Sequence, residues 1–285
     1  MNYTFGVSTW LWTSPFDNET VKLFPKIKKF GYDFVEIPVE DPVLIDVRRI
    51  KSALDDNGLT ATVCGAFGPT RDLTDEDEKI HQNCFDYIKD CLDICVEVGA
   101  GFFGGPMYSA VGKARMVPPE QKKKEWAMAV ENLYHVCEMA AQRNLDIGLE
   151  PLNRFESDLV NTCEDIDRMI KEINHPAAKI SLDGFHMNIE EKDIEAAIRL
   201  AGKKLIHIQV AENYRGTPGT GTINWQSFKN GLKAIEYKGG VSIESFTPEV
   251  KELAGAVCIW KPLVSSQDEF ARDGLVFLKN LLEES

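Results

Sequence analysis

Short runs of apolar residues alternate with longer amphipathic segments along the whole chain. Eight runs rich in β-branched and aromatic residues predict strands, at positions 4–9, 33–37, 59–65, 101–105, 145–150, 178–183, 205–210 and 241–245. The segments between them space their apolar residues as helices do, for example EKIHQNCFDYIKDCLDICVEVG and CEDIDRMIKEI. Strands that alternate with helices at intervals often near about 30 residues predict a parallel (β/α)8 barrel, a TIM barrel.

The length of the chain agrees with one such barrel. The chain has 285 residues, and a (β/α)8 barrel commonly takes about 250. Because no linker, composition break or low-complexity segment interrupts it, we assign residues 1–285 to a single domain. The seven cysteines include no CxxC pair, which favours buried, reduced thiols over disulfides or a cysteine metal site.

The charge balance restricts the classes of partner. With 45 acidic and 32 basic side chains, the net charge is −13, so the surface should repel nucleic acids and anionic membranes. The first residues, MNYTFGVSTWLW, lack a basic segment before an apolar one, and no apolar run approaches the length of about 18 residues that a spanning helix needs. We therefore expect a cytoplasmic protein that binds a small molecule, with no nucleic acid and no membrane partner.

Polar side chains end four of the later predicted strands. Glu150, Asp183, Gln209 and Glu244 each follow an apolar run, at or near the end of the fifth, sixth, seventh and eighth strands. In a (β/α)8 barrel these strand ends meet at one mouth, where the active site lies. Three carboxylates and an amide oxygen gathered there would repel one another without a cation. The pattern predicts a divalent metal held by these four residues.

Other interpretations remain open at single positions. A lone acid at a strand end is often a helix cap, and Asp183 before GFHMN could be one. Glu36, at the end of the second strand, is a candidate orienting or substrate-side residue. The strand period places His207 and Gln209 on one face, with Gln209 nearer the mouth, which favours Gln209 as the ligand.

Four segments, in order along the second half of the chain, resemble the motifs of a known family. They are GLEPLNRFE (148–156), LDGFHMNIEE (182–191), AENYRGTPGTGTINW (211–225) and VSIESF (241–246). They are similar to those of the ketose 3-epimerases, the tagatose/psicose 3-epimerase group of the xylose-isomerase-like TIM barrels. The resemblance implies metal-dependent epimerisation of a free ketose at C3 through an enediolate.

The resemblance also implies roles for residues at the mouth. Glu150, Asp183 and Glu244 match the family's carboxylate metal ligands, and Glu150 and Glu244 match its acid/base pair. The fourth ligand in the family is usually the second His of an HxH motif, which here reads His207-Ile208-Gln209. A Gln can coordinate through its carbonyl oxygen, and an all-oxygen set favours Mg2+ or Mn2+ over softer metals.

Three further residues match positions that hold the carbonyl side of the sugar. Glu156, His186 and Arg215 are expected to bind substrate, His186 through O2 and Arg215 by stabilising the developing oxyanion or its partner Glu. For Arg215 the alternative is a surface ion pair with Glu212. Aromatic faces often pack on sugars. The aromatic candidates near loops are Trp10, Trp12, Phe67, Tyr108, Phe246 and Trp260, of which Trp12 and Phe246 are assigned to substrate.

Two other functions stay open. One is an isomerase or dehydratase acting on a keto-inositol or a 3-keto-glycoside, and the other is a sugar-binding relative weakened in catalysis by Gln209. We expect a homodimer or homotetramer, as in similar epimerases, with the apolar segment VKELAGAVCIWKPLV (250–264) as a candidate subunit contact.

Overall fold

The computed structural model describes residues 3–283 and contains one closed parallel barrel. Its strands are β1 (Thr4–Ser8), β2 (Phe34–Val39), β3 (Thr60–Gly65), β4 (Phe102–Gly105), β5 (Asp146–Leu149), β6 (Ala178–Asp183), β7 (Leu205–Val210) and β8 (Gly240–Ile243). Each strand pairs with its neighbours in chain order, and β1 closes the barrel against β8. All eight observed strands overlap the predicted runs, so the predicted (β/α)8 barrel is confirmed.

Helices occupy connections between the strands, and two more follow β8. They are α1 (Phe24–Phe30), α2 (Val47–Asn57), α3 (Glu78–Val98), α4 (Pro119–Ala141), α5 (Cys163–Ile173), α6 (Gly184–Glu190), α7 (Ile194–Ala201), α8 (Trp225–Ala234), α9 (Lys251–Ala256) and α10 (Gln267–Glu283). Short 3-10 turns cover Thr9–Leu11, Thr20–Leu23, Pro42–Leu44 and Gly202–Lys204. No helix within residues 3–283 is long and apolar enough to cross a membrane.

The helix α3 shows how the local sequence produces this architecture. Its first turn is capped by Asp77, whose carboxylate accepts from the backbone N–H of Lys79 at 2.9 Å. Its buried residues, among them Cys84, Ile88 and Cys91, recur at helical spacing and pack on the barrel. The helix ends at Gly99, whose φ of +79° is a left-handed conformation that favours glycine.

Strand burial follows from this two-layer arrangement. All six residues of β2 are buried, because one face of each strand points into the barrel and the other meets helices.

The seven cysteines are all free thiols, six of them buried as predicted, whereas Cys258 is exposed. The assignment of one domain to residues 1–285 stays a prediction, and its four terminal positions lie outside the described residues.

The register of the last strands decides what meets at the mouth. Asp183 of β6 is opposite Gln209 of β7, and Gln209 is opposite Ser242 of β8. Glu150 and Glu244 come directly after the last residues of β5 and β8. The carboxyl ends of four consecutive strands therefore present these polar side chains to one space.

Candidate active site

Four polar side chains at the strand ends are buried together at the barrel mouth. Glu150, Asp183, Gln209 and Glu244 are exposed by only 6%, 1%, 2% and 5%. Asp183 also caps α6, since one carboxylate oxygen accepts from the backbone N–H of Phe185 at 2.9 Å. The helix-cap interpretation and the site interpretation of Asp183 are thus compatible, because its second oxygen faces the site.

Arg215 is the cation nearest to these carboxylates among the described residues. One guanidinium nitrogen, Nη1, donates to Asp183 Oδ2 and to Glu244 Oε2, at 3.1 Å in each case. The guanidinium also lies over the ring of Phe185, 4.0 Å from the centroid, and 4.9 Å from that of Phe246. With 4% exposure and these partners, the alternative of a surface ion pair for Arg215 is wrong.

The loop that follows β7 holds Arg215 in place. The carboxylate of Glu212 is fully buried and accepts from the backbone N–H of Gly219 at 2.9 Å and from Trp225 Nε1 at 2.6 Å. Arg215 itself has a φ of +62°, and its carbonyl oxygen accepts from Ser245 Oγ at 2.7 Å. Glu212 organises the loop internally, and the loop directs Arg215 at the carboxylates.

Gln209 presents its amide nitrogen, not its carbonyl oxygen, to the neighbouring carboxylates. Its Nε2 donates to Glu244 Oε1 at 2.7 Å and to Glu36 Oε1 at 3.0 Å. Glu36 Oε2 lies 2.6 Å from His207 Nε2, so His207 and Gln209 meet the same buried acid, as their shared strand face requires. The sequence predicted that the carbonyl oxygen of Gln209 would face a metal. In the structure the amide nitrogen faces the site, because two adjacent carboxylates require a hydrogen-bond donor.

His186 is buried between Asn153 and Arg215. Burial, and then the charge of Arg215, hold the pKa of His186 well below its usual range. Its Nδ1 accepts from the backbone N–H of Asn153 at 3.1 Å, and its Nε2 lies 3.4 Å from Arg215 Nη2, which can only donate. That Nε2 lies 3.8 Å from Glu150 Oε1. Glu156 stands beside this pair, accepting from Asn153 Nδ2 at 2.8 Å.

An inner chamber of about 270 Å3 opens above these groups. Glu156, His186, Arg215 and Phe246 line it, and their substrate contacts stay a prediction. Trp12 does not line it: its indole N–H donates to Asp268 Oδ1 at 2.7 Å.

Two further groups line the chamber: Trp10, an aromatic candidate that was not assigned to substrate, and Glu40, which sequence reasoning missed. Trp10 lines it in place of Trp12, with its indole N–H donating to Glu40 Oε1 at 2.6 Å. Glu40 itself also lines the chamber. It directly follows β2, so the strand-end signal that found the other acids could have found Glu40.

Comparison with known proteins decides the family. The family model described as the xylose isomerase-like TIM barrel matches residues 24–281. The chain belongs to the xylose isomerase-like TIM barrel family. Among curated members, an L-ribulose 3-epimerase from Methylomonas sp. (strain DH-1) is 32% identical over 251 residues, which cover 87% of each chain. A probable ketose 3-epimerase from Synechocystis sp. is 32% identical over 275 residues, covering 96% of this chain and 95% of its own.

A solved structure of this family agrees with the sequence relatives. The D-allulose 3-epimerase from Methylomonas sp. in complex with D-allulose superposes with a TM-score of 0.91 at 29% identity, covering 98% of this chain and 96% of its own. These relatives confirm the predicted resemblance to the ketose 3-epimerases. They also confirm that the chain is an enzyme of the sugar isomerase and epimerase class.

The site of this family member gathers more buried carboxyl groups than Arg215 can pair. Burial raises the pKa of Glu150 and of Glu244 well above their usual range. Nearby carboxylates add to this, Glu244 and Asp183 acting on Glu150. One Arg215 does not neutralise so many acids. The ligand atoms of Glu150, Asp183 and His186 all lie within 4.8 Å of one another. The two carboxylates of this cluster suit a hard divalent cation, and the imidazole nitrogen is its third candidate ligand.

Proposed function

We propose that this enzyme epimerises a free ketose at C3 through an enediolate, with a divalent metal and with Glu150 and Glu244 as its acid/base pair. The observation that carries the proposal is the pair of buried carboxylates, one after β5 and one after β8, at a mouth that also holds Arg215. The names of the relatives support the substrate class, since they describe ribulose, allulose and other ketose 3-epimerases.

Inversion next to a ketone requires a base on one face of the carbon and an acid on the other. Glu150 and Glu244 follow strands that are three positions apart in the barrel, so they can flank a sugar in the chamber. In one direction Glu244 removes the C3 proton and Glu150 returns one to the opposite face, and in the other direction they exchange roles. Their burial suits this work, because a raised pKa brings a carboxyl nearer to neutral pH.

The remaining polar groups hold the sugar and its developing charge. His186 binds the sugar at O2, and Glu156 accepts from a neighbouring hydroxyl. Arg215 is bound to Glu244 and lies beside the chamber, where its charge stabilises the enediolate oxygen or its partner glutamate. Phe246 supplies an apolar face for the C–H groups of the sugar.

In this proposal Glu150, Asp183 and Glu244 would hold an Mg2+ or Mn2+ ion. Glu150 and Asp183 cluster with His186, whereas Glu244 clusters with Glu36 and Cys64 and shares Arg215 Nη1 with Asp183. When bound, such an ion polarises the sugar oxygens next to C3 and lowers the cost of removing its proton. Gln209 becomes the fourth ligand only if its amide rotates, so that the carbonyl oxygen replaces the nitrogen that now donates to Glu244.

The homodimer or homotetramer and the cytoplasmic location also stay predictions.

A glutamine scan with product analysis tests the acid/base assignment. Glu244→Gln removes the charge but keeps the shape, and we expect conversion of ketose to its C3 epimer to fall by at least about a thousandfold. Glu249→Gln, an exposed acid five residues along the same segment, is the matched control and should retain wild-type conversion. Retained epimerisation in Glu244→Gln would remove Glu244 from the chemistry.

A further inference from the structure

A second, larger chamber lies outside the one that would hold the ketose. It has a volume of about 1110 Å3, about four times the 270 Å3 of the inner chamber. At about 30 Å3 per water molecule, the inner chamber has the volume of about nine waters, which suits one monosaccharide. The outer chamber is therefore space that a free ketose leaves unused.

The two chambers are adjacent and share part of their lining. The residues that line both are Phe67, Val111, Glu156, Arg215, Ala256 and Val257. Glu156 and Arg215 are among the groups proposed to hold the reacting end of the sugar. A substituent on a bound sugar would reach the outer chamber by passing between these shared residues.

Exposed aromatic side chains from three different loops surround the outer chamber. Phe155 comes from the loop after β5, Tyr214 from the loop after β7, and Trp260 from the segment after β8. They are exposed by 74%, 41% and 77% of their surface. Large aromatic faces gathered beside polar side chains, here Asn153 and Lys261, are the composition that binds sugar rings.

We propose that the outer chamber binds a second sugar ring, so that the enzyme accepts a keto sugar carrying an O-glycosidic substituent as well as a free ketose. The inference rests on the proposed function, because the same carboxylates act on the keto end. The substituent stacks on Trp260 and Phe155 while the keto sugar occupies the inner chamber. The reaction stays a proton exchange at the carbon next to the carbonyl, and the glycosidic bond is not broken.

The test measures deuterium incorporation at C3 in D2O by NMR for D-fructose and for its 1-O- and 6-O-glucosyl derivatives. Both disaccharides keep the C2 carbonyl and the C3 hydrogen free. We expect at least one of them to reach a kcat/KM equal to or above that of fructose. In Trp260→Ala the ratio of the disaccharide value to the fructose value should fall about tenfold. Met116→Ala, a fully exposed side chain that lines neither chamber, should leave that ratio unchanged.

The outcomes separate this inference from the proposed function. No exchange with any ketose would refute the proposed function itself. Exchange with fructose but with neither disaccharide, or a ratio that Trp260→Ala does not alter, would overturn the second-ring site alone. The segment 250–264, which contains Trp260, was also a candidate subunit contact. If light scattering shows that Trp260→Ala lowers the molecular mass of the wild-type particle, this wall is a subunit contact and the inference is overturned.

Discussion

Replacing Gln209 with His tests what this position does in the site. In the structure the Gln209 amide donates to two carboxylates, Glu244 at 2.7 Å and Glu36 at 3.0 Å. A hydrogen bond to a charged group contributes about 1.5–3 kcal/mol, and an imidazole N–H can retain one of the two. Without metal, Gln209→His should therefore lower the free energy of unfolding by about 2 kcal/mol.

A bound metal ion should offset part of this loss in the free energy of unfolding. The imidazole adds a nitrogen ligand to the carboxylates, and we expect it to tighten Mn2+ binding by at least about tenfold, or ~1.4 kcal/mol. Saturating Mn2+ should then restore that amount of the lost stability relative to wild type. Urea unfolding in EDTA and in Mn2+ measures the stability, and titration calorimetry measures the affinity.

A matched control separates the site effect from the effect of an added histidine. Gln226→His places the same side chain on an exposed position of α8, where it should alter neither Mn2+ affinity nor stability by a measurable amount. If Gln209→His binds Mn2+ no more tightly than wild type does, position 209 does not reach the cation, and the proposed fourth-ligand role is wrong.

Three other substitutions follow from the same geometry. Burial raises the pKa of Glu150, so the folded state holds this proton more tightly than the unfolded chain, and stability is lost as pH rises from about 4.5 through the folded pKa. Glu150→Gln should therefore raise the melting temperature by about 2 °C or more at pH 8 in EDTA, and little at pH 4.5. Glu212→Gln should lower the free energy of unfolding by about 2–4 kcal/mol in urea, because the amide NH2 that replaces Oε2 cannot accept from the backbone N–H groups of Asn213 and Ile223. Trp12→Phe should change KM for a ketose less than twofold, since the Trp12 indole bonds Asp268 outside the chamber, and initial rates at varied ketose concentration would reveal a larger effect.

The barrel and its polar mouth follow from short-range patterns in the sequence. Apolar runs of the right length and spacing mark the strands, and the parallel arrangement brings the residues that end them together. Glu150, Asp183 and Glu244 could be placed at one mouth because strand order alone determines it. The same rule would have included Glu40, which also follows a strand and lines the chamber.

The directions of the side chains could not be predicted from the sequence, because they depend on partners from distant parts of the chain. The amide of Gln209 is oriented by Glu36, which is 173 positions away, and no local pattern reports that contact. Trp12 does not line the chamber, and its indole N–H donates to Asp268, which is 256 positions away. Arg215 owes its burial to a loop conformation with a positive φ, which the residue type does not suggest.

Proton exchange at C3 tests the central claim most directly. Incubation of the enzyme with a ketose in D2O should place deuterium at C3 and at no other carbon. If Glu150 and Glu244 work on opposite faces, Glu150→Gln and Glu244→Gln should each exchange the C3 proton of a different epimer while neither interconverts the two. Deuterium at C1 or C4 instead, or full epimerisation by either variant, would contradict the assignment of these two glutamates as the acid/base pair.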